Sequence, residues 1–241
     1  MKQKLITSVL LTVITVSSAF AADFFDTDKC DNLLSFGARI GVNTSNRTMS
    51  NESFPAAYHH ESWGTGFDIG VVANLNIRQY LAIQPGFFFE SRNGDYALMG
   101  DPAGSGIGTS GVAVAQAGSR SSYNFTIPVL AVVRFNPLDE VQWNVEAGPY
   151  FTFLLDSKMQ NKALMQDGID EPQPLFNRDP SNVDFGFKMG TSLQLFDHYY
   201  IGVHYMAGCL HAWKDYNYGN NVTKSFGGVT KAWTFTIGYD F

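Results

Sequence analysis

From Val141 to Phe153 the side chains sort by parity. Val141, Trp143, Val145, Ala147, Pro149, Phe151 and Phe153 are apolar, whereas Gln142, Asn144, Glu146, Gly148, Tyr150 and Thr152 are polar or small. Successive residues of a strand point to opposite faces, so an extended strand gives each set one side, and no helical stripe does. The same split separates Thr65, Phe67, Ile69, Val71, Ala73 and Leu75 from Gly66, Asp68, Gly70 and Asn74. It also separates Phe185, Phe187, Met189, Thr191 and Leu193 from Asp184, Gly186, Lys188, Gly190 and Ser192. Eight segments carry it: about 33–43, 63–75, 80–91, 122–135, 141–154, 182–196, 199–210 and 228–241. Each has about the ten residues that a tilted strand needs to cross a bilayer.

The connections alternate in length. Short links at Asn76-Ile77-Arg78-Gln79, Asn136-Pro137-Leu138-Asp139-Glu140 and Asp197-His198 separate long ones at 44–62, 92–121, 155–181 and 211–227. Eight strands joined in this way predict an all-β fold: an eight-stranded antiparallel transmembrane β-barrel with short periplasmic turns and long extracellular loops. A soluble up-and-down barrel has the same strand number but turns its apolar residues inward. The aromatic residues decide between the two. Tyr80, Phe135, Trp143, Tyr199, Tyr239 and Phe241 fall beside the short links or the C-terminus, and Trp63, Phe89, Tyr123, Phe153 and Trp233 fall toward the long ones. Two such belts suit the two lipid–water interfaces, where amphipathic rings are favoured.

Only 16% of the 241 residues are charged, against about 25% in an average soluble domain. Lipid on one face of every strand would explain the deficit. A net charge of −6 argues against nucleic acid as a partner, since phosphate binding needs a basic patch. Residues 1–21 have the form of a secretory signal: Lys2 and Lys4, an apolar stretch from Leu5 to Val16, and Ala19-Phe20-Ala21 at the cleavage point. The expected organisation is therefore a signal peptide at 1–21, a periplasmic segment at 22–32 and the barrel at 33–241. The expected location is the bacterial outer membrane.

If the apolar face meets lipid, the polar face is the lumen. It would hold Arg39, Asp68, Glu90, Arg134, Glu146, Asp184, Lys188 and His204. Eight strands enclose only enough space for side chains, so these charges must pair with one another. Inward glycines such as Gly37, Gly41, Gly190 and Gly202 would leave room for the long Arg and Lys side chains.

The last strand runs Trp233-Thr234-Phe235-Thr236-Ile237-Gly238-Tyr239-Asp240-Phe241. Its outward set, Trp233, Phe235, Ile237, Tyr239 and Phe241, resembles the C-terminal signal read by the outer-membrane barrel-assembly machinery, which implies that machinery and the membrane's lipid as partners. The segment Tyr123-Asn124-Phe125-Thr126-Ile127-Pro128-Val129-Leu130-Ala131-Val132-Val133-Arg134-Phe135 resembles the Ile-Pro strand of the porin-family or PorT-like outer-membrane β-barrel proteins of Bacteroidota. Gly37 to Asn43 and the hairpin from Asp184-Phe185-Gly186 to Tyr200–Tyr205 are similar to that family too. The resemblance implies a barrel and no shared catalytic residues.

Candidate chemistry is sparse. Among the histidines only His211, with Ser192 or Ser225, could serve a lipid-directed nucleophilic site, and no motif links them. His59-His60-Glu61 and the group Asp167, Asp170, Glu171 and Asp179 carry metal-binding residue types without metal-site spacing. Cys30 and Cys209 would lie at opposite ends of the barrel, too far apart for a disulfide. Within loop 92–121, Gly111–Ala117 could extend a hairpin above the membrane. No cofactor is expected. The sequence thus predicts a surface-exposed structural or binding protein with a filled lumen, its ligand held by the loops 44–62, 92–121, 155–181 and 211–227. The alternatives are a narrow channel, opened by rearrangement of Arg39, Lys188, Glu146 and Asp184, and a lipid A-modifying enzyme.

Overall fold

The computed structural model describes residues 29–30, 32–48, 57–100, 115–138, 140–164, 180–212, 214, 216–217, 223–224 and 228–241. They form β1 (Leu34–Arg47), β2 (Ala57–Glu61), β3 (Gly64–Arg78), β4 (Leu81–Gly100), β5 (Ala115–Leu138), β6 (Val141–Leu164), β7 (Val183–Leu195), β8 (Tyr199–Gly208), β9 (Tyr216–Asn217), β10 (Thr223–Lys224) and β11 (Thr230–Asp240). Eight of these, β1, β3 to β8 and β11, pair antiparallel with their neighbours, and β1 with β11 closes the ring. No helix occurs among the described residues.

The strand register fixes the dimensions. Stepping around the ring from Arg39 through Gly70, Phe88 and Thr126 reaches Thr152 on β6. Stepping the other way through Gly238, Tyr200 and Gln194 reaches Gln142 on the same strand, ten residues away. That offset, with the usual strand spacing and rise, gives a tilt of about 41° and a backbone radius of about 8 Å. Such a barrel is filled by its own side chains.

The interior is polar and the exterior apolar, the reverse of a soluble barrel. Among the described residues, twenty-six polar or charged side chains are buried, far more than the apolar ones. Outward residues such as Ile69, Phe87, Phe235 and Ile237 are about half exposed. Two aromatic rows bound this band. One contains Phe135 against Trp143, centroids 5.1 Å apart, and Tyr199 and Phe241 edge-on to Tyr239. The other contains Phe89 stacked on Tyr123 at 5.7 Å and Tyr205 against Trp233 at 4.9 Å. On β6, Trp143 and Phe153 are ten residues apart, which at this tilt is about 25 Å of height, the apolar span of an outer-membrane barrel.

Three connections are shorter than the sequence predicts. β4 runs to Gly100 and β5 is described from Ala115, so much of 92–121 is hairpin rather than loop; of the expected arm 111–117, residues 115–117 are strand and 111–114 lie outside the described residues. β6 continues to Leu164, taking ten residues from the expected loop 155–181. β2 lies beside the top of β4, with Ala57 opposite Gly100 and Glu61 opposite Tyr96, inside the expected loop 44–62. These extensions stand above the apolar band, where the outer face is not held in hydrocarbon and no apolar alternation is enforced. In the expected loop 211–227 only β9 and β10 pair among the described residues. Residues 1–21, the metal-type group at 167–179 and Ser225 lie outside the described residues.

Candidate functional site: a lumen of facing charges

Parity places all eight predicted lumen residues on the inner face. Arg39, Asp68, Glu90, Glu146, Lys188 and His204 are buried, and Arg134 and Asp184 are half-buried. They do not form one network, and their partners include residues that the sequence reading missed.

At mid-height, Glu146 is the hub. His204 Nε2 lies 2.7 Å from Glu146 Oε2, and Tyr200 donates its hydroxyl to both carboxylate oxygens at 3.0 and 3.1 Å. Ser192 Oγ donates to Oε1 as well. Arg39 does not join this hub through Glu146. Its guanidinium lies 3.9 Å over the Tyr200 ring, and its Nη2 stands 2.7 Å from Asp240 Oδ1. That last contact is a buried ion pair. Arg39 Nη1 donates instead to the carbonyls of Ala38 and Tyr239, at 3.2 and 3.4 Å. Across from this group, Val72, Phe88, Pro128 and Leu130 make an apolar wall, and Lys188 Nζ lies 5.0 Å over the Phe88 ring.

Toward the long-loop end, Arg92 donates through Nε, at 2.9 Å, and through Nη2 to Glu90 Oε2. Arg92 falls inside the barrel, not in the loop where its position in 92–121 placed it. Tyr150 donates to Asp184 at 3.1 Å. Asp68 sits directly across from Glu90 in the register, 1% exposed, with neither carboxylate oxygen hydrogen-bonded. Arg47 is buried at the top of β1.

Glycine makes the space for these groups. A Cβ on Gly41 would lie 2.8 Å from Asp68 Oδ1, and one on Gly238 2.5 Å from Arg39 Cδ. Among the described residues the inner face carries six cations (Arg39, Arg47, Arg92, Arg120, Arg134, Lys188) against five anions (Asp68, Glu90, Glu146, Asp184, Asp240). The lumen is thus close to balanced, and the chain's net negative charge lies elsewhere. Among the described residues, interior cavities lie around Tyr200 and His204 and around Arg92 and Asp184, each of about 10 Å³. That is room for about one water apiece.

Of the two serines weighed beside His211, Ser225 lies outside the described residues. Ser192 lies in the lower lumen bonded to Glu146, whereas His211 sits at the loop end, where its carbonyl accepts from Ser181 Oγ at 2.6 Å. Ser192 is level with Gly202 on β8, a strand length from His211, so those two do not meet. His59-His60-Glu61 lies on β2. Cys30 and Cys209 are both free.

An inside-out closed barrel of eight strands with aromatic rows at both rims defines the class: a lipid-facing β-barrel. Residues 21–209 match the family model described as "Outer membrane protein beta-barrel domain". The chain belongs to that family and is an outer-membrane β-barrel protein. No curated protein matches it. Among solved structures it is similar to the attachment invasion locus protein Ail of Yersinia pestis, in complex with the heparin analogue sucrose octasulfate (13% identity, 87% of this chain and 100% of that one, TM-score 0.41). It is also similar to OprG of Pseudomonas aeruginosa (10% identity, 90% and 99%, TM-score 0.45) and to Neisserial surface protein A (11% identity, 86% and 97%, TM-score 0.42).

Proposed function

We propose that the protein is a small surface-exposed structural or binding protein whose lumen is closed and whose work is done at the long-loop end, outside the cell. The observation that carries this reading is a lumen packed with facing charges, in which the cavities among the described residues are of about 10 Å³. A pore for solutes needs a continuous aqueous path, and such packing speaks against one. Elongation of β4, β5 and β6 beyond the lipid band puts a rigid platform where a ligand from outside would be met. A signal peptide at 1–21 and recognition of the C-terminal strand by the assembly machinery fit this destination. The Ile127-Pro128 strand supports a place among the PorT-like barrels of Bacteroidota. The reading includes no enzymatic step, and the separation of His211 from Ser192 speaks against one of the two serine pairings that the sequence left open.

A narrow channel is the second reading, favoured by Asp68, a buried carboxylate with no hydrogen-bond partner, which water in the upper lumen would satisfy. Planar-bilayer recording on the refolded protein separates the two. A closed lumen gives no reproducible unitary conductance in molar KCl. Steps of conductance that change on Glu146→Gln would replace the closed-lumen reading with the channel.

A further inference from the structure

Just above the outer aromatic row, the lipid-facing side of β3, β4, β5 and β6 carries a groove of about 470 Å³, within the size range of small-molecule sites. Its lining includes Trp63, Thr65, Asn93, Asp95, Ser121 and Lys158. All six stand on the outer face by strand parity. A register shift brings them together: Tyr123 pairs with Asp156 and Asn124 with Leu154, so the ladder skips Leu155 and turns Asp156 and Lys158 outward beside Tyr123 and Ser121. Asn93 donates to Thr65 O at 2.7 Å, which pins its amide at the groove floor, and Ser62 bonds Asp95 O through both its backbone N–H and its hydroxyl.

The height of the groove identifies what it faces. With the tilt and offset given above, Thr65 stands about 16 Å and Ser121 about 22 Å above the level of Arg39, which lies midway between the aromatic rows. Half of the apolar band is only about 12 Å, so the groove opens into the headgroup layer of the outer leaflet. Its chemistry is that of a sugar site. Trp63, 46% exposed, offers an apolar face for a pyranose ring, while hydroxyls, an amide and a carboxylate offer donors and acceptors for sugar hydroxyls. The lining is mixed in charge, with Arg120 and Lys158 as cations and Asp95 as an anion, and Lys158 Nζ has the Asp156 carboxylate 3.9 Å away, so the groove is not a pure anion site.

We propose that the groove formed by Trp63, Thr65, Asn93, Asp95, Ser121 and Lys158 binds the saccharide headgroup of an outer-leaflet glycolipid. The inference rests on the outward orientation of the long-loop end given under Proposed function, and it adds a ligand class on the wall of the barrel rather than on its loops.

The test uses the mature protein folded in nanodiscs of phosphatidylglycerol with or without rough lipopolysaccharide, a lipid A carrying a short sugar core. Native mass spectrometry counts the lipids retained, and heat-modifiable gel mobility verifies folding. The expected result is retention of lipopolysaccharide at least tenfold over phosphatidylglycerol, falling at least fivefold in the double variant Trp63→Ala/Asn93→Ala. Ser121→Phe, which fills the groove without removing its lining, gives the same fall and stands in if the double variant does not fold. Equal retention of both lipids, or retention unchanged in the folded variants, overturns the proposal. Competition by the free core oligosaccharide at concentrations equal to the lipid overturns the glycolipid assignment in favour of a soluble sugar. Ion flux is read in vesicles of the same composition, so that a conducting lumen with glycolipid preference intact refutes the closed-lumen reading alone.

Discussion

Replacing Asp240 tests whether the lumen is as dry as its packing implies. The side chains of Arg39 and Asp240 are 2% and 8% exposed and meet at 2.7 Å. At an effective dielectric of about 20 their attraction is about 6 kcal/mol, most of it offset by the cost of stripping water from both ions. Asp240→Asn removes one charge and leaves a buried guanidinium, which in a dry interior costs about 3–5 kcal/mol. Here the carbonyls of Ala38 and Tyr239 and the ring of Tyr200 still face Arg39, which puts the expected loss near the lower bound, about 3 kcal/mol. Arg39→Met leaves Asp240 with Arg134 as a nearby cation and is the milder single change. The double variant Arg39→Met/Asp240→Asn abolishes both charges and returns to within about 1 kcal/mol of the native protein, so the cycle yields a coupling of at least 2 kcal/mol. Urea titration of the refolded protein, followed by tryptophan fluorescence and gel mobility, reads all four corners. Single losses below about 1 kcal/mol with coupling under about 0.5 kcal/mol, the range of exposed pairs, would mean that bulk-like water surrounds the pair, and the argument for a closed lumen would fail.

Ile237→Arg, on the outward face at mid-height, destabilises the folded protein in vesicles by about 2–4 kcal/mol; an effect near zero in the same urea titration would contradict lipid contact there. The β7–β8 turn holds two non-glycine residues in the left-handed region, Phe196 at φ 52° and Asp197 at φ 61°, closed by His198 N–H to Leu195 O at 3.1 Å. Phe196→Asn/Asp197→Gly supplies the residues that such turns favour and raises stability by about 1 kcal/mol; a lower urea midpoint would show that the turn is held for another reason. Gly41→Val places methyl groups against Asp68 and the Phe235 carbonyl and lowers stability by about 1–3 kcal/mol in the same urea titration; an unchanged midpoint would show that the lumen has room there.

Where lipid touches the barrel, the fold was legible in the sequence, because one face of each strand must be apolar and the lumen-facing set then stands out by parity. That logic located Glu146, Lys188 and His204. It stopped at the membrane boundary. Arg92-Asn93-Gly94-Asp95 has water on its outer face, so no alternation marks it as strand, although Arg92 shares parity with Glu90 and Phe88. Asp240, the partner of Arg39, shares parity with Thr234, Thr236 and Gly238, but its place beside the final Phe241 reads as an assembly signal rather than as lumen. The skipped Leu155, on which the outer groove depends, has no mark in composition at all. A register shift is set by how two strands meet, and a single strand's pattern does not carry it.

Pairing of β1 with β11 gives the barrel a seam joining residues 200 positions apart, as from Arg39 to Tyr239. Until that seam is made, β1 and β11 each present an open row of backbone donors and acceptors, which hydrocarbon cannot satisfy and which invites pairing with other chains. The first strand to be synthesised therefore waits for the last before either is satisfied. Insertion and closure must be nearly one event, and its rate is governed by the slow search of a long loop for its own end. Such a chain needs an escort between export and membrane, and its most aggregation-prone moment is the interval in which seven strands exist and the eighth does not.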